Sequence, residues 1–338
     1  MKIKDYIGIG ILIVVIAAIP DLVGNDYYLG VLIFTAFNCL TCTGLCLLMG
    51  YTGQISIGHG AFIAIGAYSS AILTTRLGWS PWTAMGCGVL LAAVTAIIVG
   101  IPTMRLKGHY LAMATLGFAS IVHIVSVAAV DVTGGPSGIS GIPRMQIFGF
   151  ALNSDTRNFY FSWGFVVVGL YLAVNLIHSR VGRGLQAIHG SEDAASSLGV
   201  NIAVDKIKIL VLSAIYASIS GSLYAHYVLY IDPGPFDIMH SVLLVTMVAV
   251  GGLHNIWGAI TGAVLLSLLP EFLSFLSEYL QEIGIRYQTD YDTLVYGGIL
   301  LLIMLFLPEG LFDGLSRSLK SISGFGGKLA GRISERAE

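Results

Sequence analysis

The chain alternates long apolar runs with short polar joints. The runs recur near the twenty residues that a helix needs to cross the hydrocarbon core of a bilayer. Ten are placed, at about 6–23, 29–49, 55–75, 82–104, 109–130, 161–178, 209–230, 241–252, 257–276 and 294–311. The eighth is short and glycine-ended. The first follows Lys2 and Lys4 as a secretory leader does, but it closes on Ala18-Ile19-Pro20-Asp21, a poor cleavage site, and is read as a retained helix. The pattern predicts an all-α polytopic membrane protein. Spans two to five start on one side and spans seven to ten on the other, which makes them candidates for an inverted repeat. No sequence identity between the two sets supports that idea, so it rests on the span count.

One segment breaks the apolar rhythm. Residues 179–208 read SRVGRGLQAIHGSEDAASSLGVNIAVDKIK, helical in character and too polar for lipid. Ala187, Ala194, Ala195, Leu198 and Val200 form a small apolar stripe, Arg183, Glu192 and Asp193 a charged face, and Gly199 suits a left-handed C-cap. Such a helix between spans fits a docking surface for a soluble partner, or a solvated helix that only joins two spans.

Composition agrees with the membrane class: apolar residues are 56% of the chain and charged ones 11%, against roughly 45–50% and 25% in soluble domains. A net charge of −2 offers no footprint for nucleic acid. Lys and Arg placement orients the spans. With a cytoplasmic N-terminus, Lys2, Lys4, Arg105, Lys107, Arg180, Arg183, Lys206, Lys208 and the basic tail lie inside, and only Arg76, Arg144, Arg157 and Arg286 lie outside. An even span count also returns the C-terminus to the cytoplasm. The chain divides into a transmembrane part, 1–312, and a basic, loosely ordered tail, 313–338.

Small residues at four-residue spacing, as at Gly60 and Ala64, Gly221 and Ala225, and Gly258 and Gly262, predict close helix packing. Three polar glycine junctions differ from these: 50–60, GYTGQISIGHG; 133–143, TGGPSGISGIP; and 251–258, GGLHNIWG. Non-helical backbone at membrane depth survives only inside protein or along a water-filled cavity. Gly53, Gln54, Ser56, His59, Thr133, Gly134, Gly135, Ser137, Gly251 and Gly252 are therefore candidates for a translocation path, with ordinary turns and caps as the alternative. Catalytic chemistry is sparse. Cys39, Cys42 and Cys46 share a helix face without an acidic or histidine companion, so no metal site is assigned. His123 and His226 are the ionisable groups deepest in spans, functional or packing. No Walker A, Gly-x-Ser-x-Gly or His-Glu-x-x-His motif occurs.

Several stretches resemble the permeases of branched-chain amino-acid ABC transporters of the LivHM type, in particular the LivM-like subunit. They are GYTGQISIGHGAFIAIGAY at 50–68, LKGHYLAMATLGFASI at 106–121, TGGPSGISGIP at 133–143, GRGLQAIHGSEDAASSLGVN at 182–201, VAVGGLHNIWGAITGAVL at 248–265 and FLPEGLF at 306–312. His59 and His109 stand where members of that family often carry other residues. The resemblance implies an importer permease in a prokaryotic inner membrane, working by ATP-driven alternating access. It implies that 182–201 is a coupling helix, with Gly182, Arg183, Glu192, Asp193, Ala194 and Gly199 at the ATPase interface. It further implies a second permease of the LivH type, two ATP-binding cassette subunits that hold ATP and Mg, and an extracytoplasmic substrate-binding protein. No cofactor is expected on this chain itself. Urea and short-chain amide permeases are the nearest alternative. An ion-coupled secondary transporter is a second one, and it needs mid-membrane carboxylates. Asp and Glu cluster at ends and loops, with Glu271, beside Pro270, the one exception.

Overall fold

The computed structural model describes residues 3–103, 106, 108–147, 150–282, 290–306 and 310–312. The basic tail from 313 onward lies outside the described residues. All ten predicted spans coincide with helices: α1 (Ile3–Val23), α2 (Asp26–Thr52), α3 (His59–Arg76), α4 (Pro81–Thr103), α5 (His109–Ala128), α7 (Asp155–His178), α10 (Ile202–Val228), α11 (Ile238–Gly251), α12 (Ile256–Glu282) and α13 (Asp290–Phe306). Between α5 and α7 lie a one-turn helix α6 (Val130–Thr133) and three two-residue strands, β1 (Ile139–Ser140), β2 (Gln146–Ile147) and β3 (Phe150–Ala151). Between α7 and α10 lie α8 (Arg180–Gly190) and α9 (Glu192–Ser197), and β4 (Tyr230–Ile231) follows α10.

Among the described residues, six helices are long and apolar enough to cross a membrane: α1, α2, α4, α5, α7 and α12. Helices α3 and α10 fall outside that set, because they face protein rather than lipid. They pack on each other more extensively than any other pair of described elements. A Cβ at Gly66 would overlap the Ser218 carbonyl, and one at Gly221 the Ile63 carbonyl. Bare backbone there lets the helices approach closely enough for the Ser222 hydroxyl to reach the Gly66 carbonyl at 3.0 Å. By contrast, α1, α4 and α5 present large exposed side chains, such as Val14, Leu90 and Ile121.

The helices repeat with inverted sense. Helices α2 and α10 each have 27 residues and each ends on a left-handed residue, Gly53 at φ 69° and Leu229 at φ 64°. Each then gives way to a non-helical stretch, a shorter helix (α3 or α11) and a long one (α4 or α12). The two sets exchange partners: α3 and α4 pack on α10, while α11 and α12 pack on α2. Helices α2 and α10 run antiparallel at the centre. There the Ser220 hydroxyl donates to the Phe37 carbonyl at 2.9 Å, and Gly44 accommodates Tyr216.

Candidate functional site at the helix breaks

The segment after α2 is built to descend into the bundle. Gly53 caps α2, its N–H donating to the carbonyls of Leu48 and Met49. Residues 53–58 are non-helical, and α3 starts only at His59. The His59 ring meets the Ser213 hydroxyl at 2.6 Å. Ser213 lies eleven residues into α10, about 16 Å along that helix at 1.5 Å per residue. The first residues of α3 and α11 therefore meet deep in the bundle, where the Gly60 N–H donates to the Ser241 hydroxyl at 3.0 Å.

Backbone groups released by the break find partners within the subunit, as buried polar groups must. The Ile57 N–H donates to Thr115 at 3.0 Å and the Gln54 N–H to the Leu48 carbonyl at 3.4 Å, while the Gln54 side-chain amide donates to Thr52 at 3.0 Å. Ser56 sits 3.5 Å from the other nitrogen of His59. Gln54, Ser56 and His59 are all buried. They hold the break in shape, and none of them lines the aromatic-walled cavity beside α11 and α12.

The other two junctions lie at opposite ends. At 133–143 the Thr133 hydroxyl donates to the backbone of α5 and accepts the Gly135 N–H at 3.1 Å, so it is engaged in the turn. Gly134 sits at φ 78°, where a Cβ would overlap the Gly138 carbonyl. Only Ser137 of these candidates is exposed, and its carbonyl accepts the Tyr230 hydroxyl at 3.3 Å. Strand β1 pairs antiparallel with β4, Ile139 opposite Ile231, which ties this junction to the end of α10. At 251–258, Gly251, Gly258 and Gly262 form the crossing of α11 and α12, and Gly252 at φ 126° makes the turn. That junction is an αα-turn at the α8 end of the bundle, not a mid-depth break.

The polar segment expected as one helix is two. Ser191 adopts extended backbone (φ −162°, ψ 119°), and its side chain accepts the Ala194 N–H, which starts α9 afresh. Gly199 follows α9 with φ 82°, as the sequence suggests. The buried stripe also differs: Gly182, Leu185 and Ile188 face inward, whereas Leu198 is 81% exposed. The bend at Ser191 turns Leu198 away from the stripe. At Gly182 a Cβ would overlap the Ile177 carbonyl, so glycine lets α8 fold back on α7. Arg183 donates to the His178 carbonyl at 3.3 Å. Glu192 pairs with the nearly buried Lys206 at 2.7 Å, which clamps α9 to α10. Asp193, Ala194 and Gly199 are exposed beside Leu198.

Here the polar helices meet the breaks. The His189 ring, in the last turn of α8, lies so close to Gly53 that a Cβ there would sit 2.8 Å from Nδ1. His189 packs edge-on against His254, with ring centroids 5.1 Å apart. His254 Nδ1 lies 3.3 Å from the Gly50 carbonyl. Gly50 itself has no room for a Cβ against the Leu253 carbonyl, and Cys46 reaches the same carbonyl at 3.4 Å. Burial, and then the neighbouring His254, lower the pKa of His189 below its ordinary value. His189 therefore favours its uncharged state. Cys39 and Cys42 point at α11 and α12 as packing thiols, and among the described residues no cluster of three metal-ligating side chains occurs. His226 bridges Ser70 (2.8 Å) and the Pro143 carbonyl (2.7 Å), a structural tie between α3, α10 and the 133–143 junction.

Comparison with known proteins agrees with this architecture. Residues 27–304 match the family described as branched-chain amino acid transport system / permease component. The high-affinity branched-chain amino acid transport system permease protein LivM of Salmonella typhimurium is 29% identical, covering 95% of this chain and 78% of that protein. LivM of Escherichia coli is 30% identical over 83% of this chain and 69% of its own length. The ribose import permease protein RbsC of Escherichia coli is 27% identical over 84% and 89%. No solved structure matches. With the family's match spanning most of its length, the chain belongs to the permease components of branched-chain amino acid transport systems.

Proposed function

We propose that this chain is one permease subunit of an ATP-driven importer for branched aliphatic amino acids, set in the inner membrane of a prokaryote with α8 and both termini in the cytoplasm. The observation that carries this reading is the contact of His189 with Gly53. It joins an exposed polar helix pair directly to the break that starts α3 inside the bundle. The Lys and Arg distribution supports the orientation. The names of the LivM relatives support the substrate class, and the aliphatic and aromatic cavity wall suits a branched side chain better than a sugar.

In this mechanism the chain performs no covalent step and holds no nucleotide. Two ATP-binding cassette subunits, a LivH-type permease and an extracytoplasmic substrate-binding protein complete the system. Closure of the ATPases on ATP displaces α8 and α9 through Asp193, Ala194, Leu198 and Gly199. Gly182, Arg183 and Glu192 transmit the displacement within the subunit, because each is tied to α7 or α10. His189 then shifts Gly53 and the 53–58 segment. ATP drives the cycle through the different affinities of the ATPases for their two states.

Reconstitution tests the proposal. Liposomes holding this chain with all its partners should take up leucine only with ATP, and omitting the chain should abolish uptake. Uptake of urea or a short-chain amide instead would move the substrate. Uptake by the chain alone, driven by an ion gradient, would overturn the reading.

A further inference from the structure

A cavity of about 910 Å³ opens between α2, α3, α10, α11, α12 and α13, within the roughly 300–1,000 Å³ of small-molecule sites. None of the glycine-junction residues singled out in the sequence lines it. Its wall is aromatic and continuous. Phe34 lies 5.9 Å from Tyr224, and Tyr224 lies 5.7 Å from Phe236. Two carboxylates, Asp237 and Glu271, line it with no Lys or Arg among its lining residues. Asp237 is committed to the cap of α11, accepting the His240 N–H at 2.8 Å. Glu271 accepts the Tyr27 hydroxyl at 2.8 Å through one oxygen, and its other oxygen has no partner among the described residues. Pro270 precedes it inside α12 and has no N–H, which frees the carbonyl of Leu266 in the same wall.

A half-buried carboxylate with no cation among the cavity's lining residues favours a positively charged ligand. Aromatic faces attract cations as well. We infer that this cavity receives a primary ammonium group, the α-ammonium of an aliphatic amino acid, with Glu271 as its counter-ion. The ligand's identity rests on the transport reading, and the chemistry of the site does not. Glu271 meets the ammonium by charge, the Leu266 carbonyl offers a second acceptor, and the aromatic wall takes the hydrocarbon. A ligand with a carboxylate and no ammonium meets only like charge here.

The test is direct binding to the whole chain in discs of phosphatidylglycerol, which carry no amine. Ligand-observed NMR compares leucine, 3-methylbutylamine, which lacks the carboxylate, and 4-methyl-2-oxopentanoate, which lacks the ammonium. Leucine and the amine should bind, and the oxo acid should bind about tenfold more weakly or not at all. Glu271→Gln should weaken amine binding about tenfold, and Glu271→Asp should retain it. Thermal unfolding of both variants separates lost binding from lost fold. Unchanged amine binding by a folded Glu271→Gln protein overturns the inference, as does an oxo acid that binds as well as the amine. Adding phosphatidylethanolamine should leave leucine binding unchanged, whereas competition would assign the site to a lipid headgroup and overturn the amino-acid assignment. Amine binding without ATP-driven uptake in the full system would sink the transport reading and leave this site standing.

Discussion

The two breaks that follow the central helices occupy equivalent places in the repeat and are held in different ways. The break after α2 is fastened by side chains: Thr115, Ser213 and Ser241 hold its backbone and His59, and His189 of the polar helix pair presses on its first residue. The stretch after α10 is fastened by backbone. Strand β4 pairs with β1, Gly138 leaves no room for a Cβ against the Ile231 carbonyl, and the Tyr230 hydroxyl ties to Ser137. Side-chain hydrogen bonds between neutral groups are each worth only about 1 kcal/mol and rearrange singly. A strand pair anchored on a glycine turn gives less. The contrast fits the moving role proposed above for the break near α8, with the opposite end as the fixed one.

The largest expected effect tests packing at both ends. Gly50→Ala and Gly138→Ala each place a Cβ against backbone that cannot yield. Each should cost about 3 kcal/mol or more, read as a lower thermal midpoint in detergent. Tolerance of either substitution would show that its end is looser than described. Next comes coupling. His189→Ala should cut ATP-driven uptake about tenfold, a loss of about 1.4 kcal/mol in coupling, while receptor-stimulated ATP hydrolysis persists. Tyr230→Phe, at the fixed end, should leave both rates near wild type. Equal losses in the two variants would erase the comparison.

A smaller effect is expected at the clamp between α9 and α10. Lys206→Met should speed amide exchange in α9 by severalfold without altering the spans, because Glu192 is 30% exposed and water replaces part of the lost pairing. The smallest concerns pH. The folded-state pKa of His189 lies below its unfolded value, so the unfolded chain binds more protons as pH falls through the ordinary histidine range. The joint should weaken below about pH 6.5, seen as a lower thermal midpoint that His189→Gln abolishes. A pH response identical in that variant would place the titrating group elsewhere.

Much of this fold is legible along the chain, because a lipid-facing helix must be apolar throughout, and that signature survives without tertiary context. Helices α3 and α10 are harder to read, since their small and hydroxyl-bearing faces meet protein, yet the small-residue spacing at Gly60 and Ala64 and at Gly221 and Ala225 marks them. The junctions are visible as glycine motifs. Which way their polar groups point is not, because the partners of His59 and Ile57, Ser213 and Thr115, lie far off in sequence. The bend in the polar segment follows from the cap signal Ser191-Glu192-Asp193, which amphipathicity over 182–201 conceals. The spacing of Gly182, Leu185 and Ile188 would have identified the inward face of α8. The cavity leaves almost no local trace. Its walls come from six helices, and Glu271 beside Pro270 is its one sign in the sequence.

The most direct measurement is amide hydrogen exchange in the complete transporter, compared between the nucleotide-free state and a state trapped with ATP on the partner subunits. Exchange at 53–60 should change severalfold on trapping, while exchange at 139–140 and 230–231 stays the same. Unchanged exchange at 53–60, or an equal change at both ends, would contradict the assignment of the α8 end as the moving joint.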